Sequence, residues 1–123
     1  MTELFLTNSE SGVKAVFTPV DATHIKFYVC GPTGYSLAHI GNARPVVVFD
    51  MLFRVLQALY PRVTYVRNIT DIDDKIMVAA REQNVSIEAI STEFTDKFRE
   101  DMRALNALEP SIEPLATEHV DAM

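Results

Sequence analysis

Two short β-branched runs, each closed by a polar turn and separated by one long apolar stretch, narrow the folds open to this chain more than any other feature. The first, His24 to Cys30, alternates Ile25, Phe27 and Val29 with Tyr28 and Cys30 and stops at Gly31-Pro32, as a strand ending in a turn does. The second, Val63 to Ile69, reads as another strand and runs into the acidic turn Asp71-Ile72-Asp73-Asp74. Strand, turn and helix, repeated, is the order of a βαβ unit with parallel strands. Ligands of such sheets bind outside the carboxyl ends of the strands. The polar clusters Gly31 to Arg44 and Asn68 to Asp74 are therefore expected together at that edge.

The stretch between the strands, from Pro45 to Leu59, begins with the β-branched Val46-Val47-Val48 but keeps its apolar pattern through Met51, Leu52, Val55, Leu56 and Leu59, a length that favours a helix. Pro45 suits a first helical turn, so the start is expected near Ala43 or Arg44. Apolar on nearly every side, this helix is expected to be buried between layers. A second helix should follow the acidic turn and reach about Gln83, with Asn84 as its C-cap. Ser86 should cap a longer one carrying the stripe Ile87, Ile90, Phe94, Phe98, Met102 and Leu105. Upstream, Leu4 to Leu6 and Val13 to Phe17 flank Asn8-Ser9-Glu10-Ser11-Gly12 as a hairpin would. Pro110 and Pro114 break the chain, and Leu115 to Met123 reads as the first turns of one more helix, so that the chain is expected to end inside an element.

At 123 residues and 48% hydrophobic, the chain has the size and composition of one folded unit. Its net charge of −6 argues against a self-sufficient nucleic-acid binder, which needs clustered Lys and Arg. One cysteine, Cys30, excludes an internal disulfide framework and fits a reducing cytoplasm. The acidic start, Met1 to Leu6, does not read as a signal peptide. The Pro45 to Leu59 run, broken by Asp50, Arg54 and Gln57, falls short of the roughly 20 apolar residues of a membrane span.

Several residues could carry chemistry. His39-Ile40-Gly41-Asn42 ahead of a helix offers an imidazole, a carboxamide and close backbone approach near a positive dipole end, which suits phosphate oxygens. The same four residues could equally be a histidine satisfied by the backbone and an asparagine capping the helix. Cys30 is a small hydrophobe or a metal ligand, but a thiolate zinc site takes about four ligands, and His24 and His119 have no ligand-type spacing to it. Asp71, Asp73 and Asp74 invite a magnesium reading, while acidic groups at a helix N-terminus serve capping and the dipole, the reading preferred for Asp73 and Asp74.

Tyr28-Val29-Cys30-Gly31-Pro32-Thr33-Gly34-Tyr35-Ser36-Leu37-Ala38-His39-Ile40-Gly41-Asn42-Ala43-Arg44, followed by Tyr65-Val66-Arg67-Asn68-Ile69-Thr70-Asp71-Ile72-Asp73-Asp74-Lys75-Ile76, resembles the amino-terminal motifs of cysteinyl-tRNA synthetases. The resemblance runs from about Leu4 to the end and includes Ala104-Leu105-Asn106 and Glu113 to His119. It implies an α/β, Rossmann-like (HUP-type) parallel sheet, the N-terminal half of a class I synthetase nucleotide-binding domain, with residues 1–123 a partial catalytic domain. It also implies that His39, Gly41 and Asn42 hold ATP with its Mg2+, that His39 and Asn42 are the catalytic pair, and that Gly31, Thr33 and Thr70 line a cysteine pocket. Cys30 would be the first ligand of a zinc ion that binds the substrate thiolate, a soft donor chosen over a hydroxyl.

Three positions depart from the usual family pattern, the first being Asn42, which replaces the second histidine of the HIGH-type signature as in part of the family and still donates a hydrogen bond. Gly34 and Ser36 stand where it usually has Val and Asp, so that a rigid loop is expected to be looser and one carboxylate is missing. The family's other zinc ligands, its KMSKS-type loop and its anticodon-reading helices lie beyond position 123. The resemblance thus implies cysteine and ATP as ligands, weak or no tRNA(Cys) binding by this acidic chain, incomplete activity, and self-association through exposed apolar surface. A free-standing ATP- or cysteine-binding regulatory module and a cysteine ligase acting on a small amine are the other two readings.

Overall fold

A computed structural model describes residues 3–123. A small hairpin comes first: β1 (Phe5–Thr7) pairs antiparallel with β2 (Lys14–Val16), Leu6 opposite Ala15. Gly12, at φ +70°, turns the chain, and its N–H donates to the Asn8 carbonyl at 2.8 Å. Met1 and Thr2 lie outside the described residues.

The βαβ unit is present as the two runs require. β3 (Ile25–Val29) and β4 (Val63–Arg67) are parallel, with Ile25 opposite Val63 and Val29 opposite Arg67, and the helix α1 (Ile40–Leu59) connects them. In β3 the buried positions, Ile25 and Val29, alternate with exposed Lys26 and Tyr28, the period of a half-covered strand. Phe53 of α1 packs on Tyr65 and Val29, with Phe27 stacked on Tyr65 at 4.6 Å between ring centroids.

A third extended segment runs beside β4 on the side away from β3, and the proline-flanked sequence there gave no strand signal. Val66 pairs in parallel with Ile112 and Ile69 with Leu115, and the Arg67, Ile69, Ile112 and Ala116 amides complete the ladder. Pro110 and Pro114 fit an edge position, where a missing N–H leaves no partner orphaned. After it, where the first turns of one more helix were expected, residues Ala116–Ala122 form a 3-10 helix.

Two expectations for α1 are corrected. It begins at Ile40, so Pro45 lies within it and not at its start. The earlier start is held by a capping box, in which His39 and Asn42 satisfy each other's end of the first turn, worth about 0.5–2 kcal/mol. Nor is the helix covered all round. Ala43, Val46, Asp50, Phe53 and Leu56 are buried, whereas Val48 is 55% and Met51 66% exposed, and Val47 and Val55 share that open apolar face.

α2 (Asp74–Gln83) and α3 (Ile87–Ala104) pack on each other through Ile76, Ala80 and Ile90. Asn84 ends α2 in the left-handed region at φ 54°, and the Ser86 hydroxyl accepts the Ala89 amide at 3.0 Å to start α3, as expected of both. Phe98 and Met102 of α3 close a second core against Ala43 and Val46.

Two polar ties cross this core. Asp50, buried on α1, accepts Arg54 Nε at 2.9 Å and the Leu108 amide at 2.9 Å, and so anchors the loop after α3. Arg67, with its side chain 4% exposed, donates to Glu113 at 3.1 Å, and the same carboxylate accepts from Arg99 at 2.8 Å. The Arg67 guanidinium also lies over the rings of Phe98 and Tyr65, at 5.5 and 5.9 Å. No helix of the described residues is long and apolar enough to cross a membrane.

Candidate functional site

Because β3 and β4 are parallel and in register, the chain leaves both at the same edge, and the two polar clusters meet there. Thr33 bridges Thr70: the Gly34 amide donates to the Thr70 carbonyl at 3.1 Å and the Thr70 amide to the Pro32 carbonyl at 2.9 Å. The Gly31 amide donates to Asn68 Oδ1 at 2.7 Å. A Cβ on Gly31 would stand 1.6 Å from the Asn68 carbonyl oxygen, so only glycine lets these loops approach.

His39 and Asn42 close the other side. His39 Nδ1 accepts the Gly41 amide at 3.0 Å, and Asn42 Oδ1 accepts the His39 amide at 3.1 Å. The structural alternative for this pair, capping, is thus realised, but it orients the remaining atoms. With Nδ1 engaged as acceptor, a neutral imidazole carries its proton on Nε2, and the Asn42 amide keeps both N–H donors. The N-terminus of α1 therefore offers donors to whatever sits before it.

A cavity of about 260 Å³ lies here, bounded by the loop from Gly31 to His39, by Asn42 of α1, by Lys75 of α2 and by Phe94, Thr95 and Phe98 of α3. A smaller one of about 120 Å³ brings Cys30 and Gly31 against Gly41, Asn42 and the Arg67 side chain. Six of the residues to which the resemblance gives a site role (Cys30, Gly31, Thr33, His39, Gly41 and Asn42) thus face one or both cavities. Thr70 does not line either; its backbone holds Pro32 and Gly34, and its hydroxyl lies 3.5 Å from Asn68 Nδ2.

Gly34 is not the loosened position expected. It is buried, bonded through its amide, and a Cβ there would meet Thr95 Oγ1 at 3.0 Å and the Ser91 carbonyl at 3.2 Å. Glycine at this point lets α3 press against the loop. Ser36 is exposed on the cavity rim.

Cys30 is exposed, with its thiol 3.7 Å from the Gly31 carbonyl. Among the described residues no three His, Cys, Asp or Glu side chains converge as metal ligands, and His24 bonds the Thr64 hydroxyl at 2.8 Å. One thiolate does not fit a complete zinc site. The acidic turn is likewise structural. Asp73 Oδ1 caps α2 through the Lys75 amide at 2.9 Å, and Asp71 accepts the Thr117 amide and hydroxyl at 3.0 and 2.5 Å.

Motif reading passed over Arg67 and Lys75, which line the cavities, and Asn68, which lines neither but holds Gly31. All three stand inside the quoted motif, and Asn68 was detectable in principle, since a glycine required for close approach implies a partner on the opposite loop.

The chain matches the family described as tRNA synthetases class I (C), catalytic domain, over residues 16–123. It is 60% identical to a cysteine–tRNA ligase of Wolbachia pipientis wMel over 94% of its length. It is 59% identical to one of Saccharophagus degradans over 98%, and 58% identical to one of Granulibacter bethesdensis over 97%. In each case it spans about a quarter of the relative, 25%, 26% and 25%. With a parallel βαβ core and the motif residues gathered at its carboxyl edge, the chain belongs to the class I (C) tRNA synthetase catalytic-domain family.

Proposed function

We propose that this chain forms the nucleotide- and cysteine-binding half of a cysteine–tRNA ligase active site. ATP would lie before α1, its phosphate oxygens taking N–H donors from His39 Nε2 and Asn42 Nδ2, with Gly41 permitting close approach. Cysteine would lie against Gly31, Thr33 and the loop that Thr70 holds. Its carboxylate attacks the α-phosphorus, the bond from that phosphorus to the α–β bridging oxygen breaks, and pyrophosphate leaves. A hydroxyl of the terminal ribose of tRNA then attacks the cysteinyl carbonyl, the anhydride bond to phosphate breaks, and AMP leaves with the hydroxyl proton passing to solvent or phosphate. Little covalent chemistry falls to the protein, which positions the reactants and stabilises charge on the phosphoryl oxygens.

The observation that carries this reading is the capping box, because it consumes Nδ1 of His39 and Oδ1 of Asn42 and leaves both side chains as donors. Cys30 is proposed as one ligand of a zinc ion in a full-length ligase, an ion that this chain by itself is not expected to retain, and magnesium as arriving with ATP. The net charge of −6 makes tRNA binding by this chain weak or nil. The open apolar face of α1 would favour self-association, read by sedimentation, and the cytoplasm is the proposed compartment.

The test is cysteine-dependent exchange of labelled pyrophosphate into ATP, beside direct ATP titration, on the wild type and on His39→Ala. ATP binding lost in the variant supports the site. Binding that His39→Ala leaves unchanged rejects it. Exchange by the wild type would further show that this chain alone activates cysteine.

A further inference from the structure

We propose that Lys75 is a binding residue of the larger cavity, supplying its positive charge to an oxyanion held between it and the His39–Asn42 end. The inference rests on the nucleotide reading above and adds to it a charged residue of the same cavity. Among the side chains bounding this cavity, Lys75 is the one with a formal charge at neutral pH, counting histidine as neutral, and no carboxylate joins it there.

The ammonium is also uncommitted. Lys75 is exposed and makes no ion pair with a described residue, although Asp73 and Asp74 precede it. Asp73 is occupied with the Lys75 backbone N–H, not with its side chain. The Lys75 Nζ instead lies 5.3 Å from the centroid of the Tyr35 ring, and Tyr35 itself borders the cavity. An exposed cation–π contact of this kind is weaker than a charge-assisted bond to an oxyanion, so the ammonium can be drawn from the ring to a ligand.

The lining thus combines two kinds of donor. Neutral N–H groups of His39 and Asn42 and the point charge of Lys75 border one cavity, a set that suits a polyanion longer than one phosphoryl group. Phosphate of a nucleotide and the carboxylate of an amino acid share this chemistry, and separate titrations distinguish them.

The experiment titrates the wild type, Lys75→Met, Lys75→Arg and His39→Ala with ATP and, separately, with cysteine, by calorimetry at two salt concentrations. Lys75→Met keeps the apolar stem on Tyr35, and its thermal midpoint checks folding. The expected result is ATP affinity weakened by about tenfold or more in Lys75→Met, a smaller salt dependence of what remains, and recovery in Lys75→Arg. Loss for cysteine alone would assign the charge to the carboxylate. Unchanged affinity for both ligands in Lys75→Met, with His39→Ala still impaired, overturns the role of Lys75 alone. A wild type that binds neither ligand overturns the nucleotide reading and this inference with it.

Discussion

Asn68 accepts the Gly31 amide at 2.7 Å while its own carbonyl occupies the space a Gly31 side chain would need. One residue thus both fastens the two loops and forbids any larger neighbour. Gly31→Ala should therefore cost about 3 kcal/mol or more, since backbone and not a flexible side chain must give way. Denaturant midpoints measure this, and a loss under about 1 kcal/mol would mean that the loops separate easily.

Gly34→Val restores the residue usual in the family and should nevertheless destabilise this chain, by about 1–3 kcal/mol. The added carbons meet the Ser91 carbonyl and the Thr95 hydroxyl on α3. A double variant that also shortens Thr95 to Ala should recover only part of the loss, because the Ser91 carbonyl is backbone.

Glu113→Ala leaves Arg67 buried without a counter-charge and should cost about 3–5 kcal/mol. Arg99→Ala removes a more exposed partner of the same carboxylate and should cost no more than about 1 kcal/mol. Equal losses in chemical denaturation would refute the assignment of Arg67 as the dominant partner.

Tyr65 is fully buried and its hydroxyl has no hydrogen-bond partner. Burial raises its pKa, with the Arg67 charge acting in the opposite direction. Tyr65→Phe removes an orphaned polar atom, so the midpoint should hold or rise, by up to about 1 kcal/mol. A clear fall would show that an ordered water serves the hydroxyl.

His24 has its pKa lowered by partial burial beside Thr64, then by the charges of Arg62 and Lys26. A base held neutral in the fold takes up its proton more readily when unfolded. Its contribution is therefore present above the unfolded value of 6.5 and is lost as pH falls through the lower, folded value. Midpoints compared between the wild type and His24→Gln should diverge above pH 6.5 and converge in mild acid.

The parallel core was legible because alternation and turn residues are local signals: Ile25, Phe27 and Val29 announce β3, and Asn84 and Ser86 mark helix ends without reference to anything distant. What escaped depends on distant partners. Residues 112–116 pair with β4 in spite of two prolines, because an edge position tolerates them and the partner lies more than forty residues back. The start of α1 was misjudged because Pro45 is a strong local mark, while the reciprocal bonds of His39 and Asn42 exist only once the turn has formed. At the site, the two polar clusters met at the carboxyl edge of the strands, although Thr70 lines neither cavity, and Lys75 joins the lining only because α2 brings it to Tyr35. The close packing of Gly34 likewise belongs to its contact with α3.

Cys30 is the chain's single thiol, it is exposed at the end of β3, and the chain has no tryptophan. A fluorophore attached there would sit alone on the molecule, beside the cavity that Gly31 and Asn42 share, and no indole emission would compete with it. Occupancy of that edge could then be followed in real time from one label, with association and dissociation rates resolved by stopped flow.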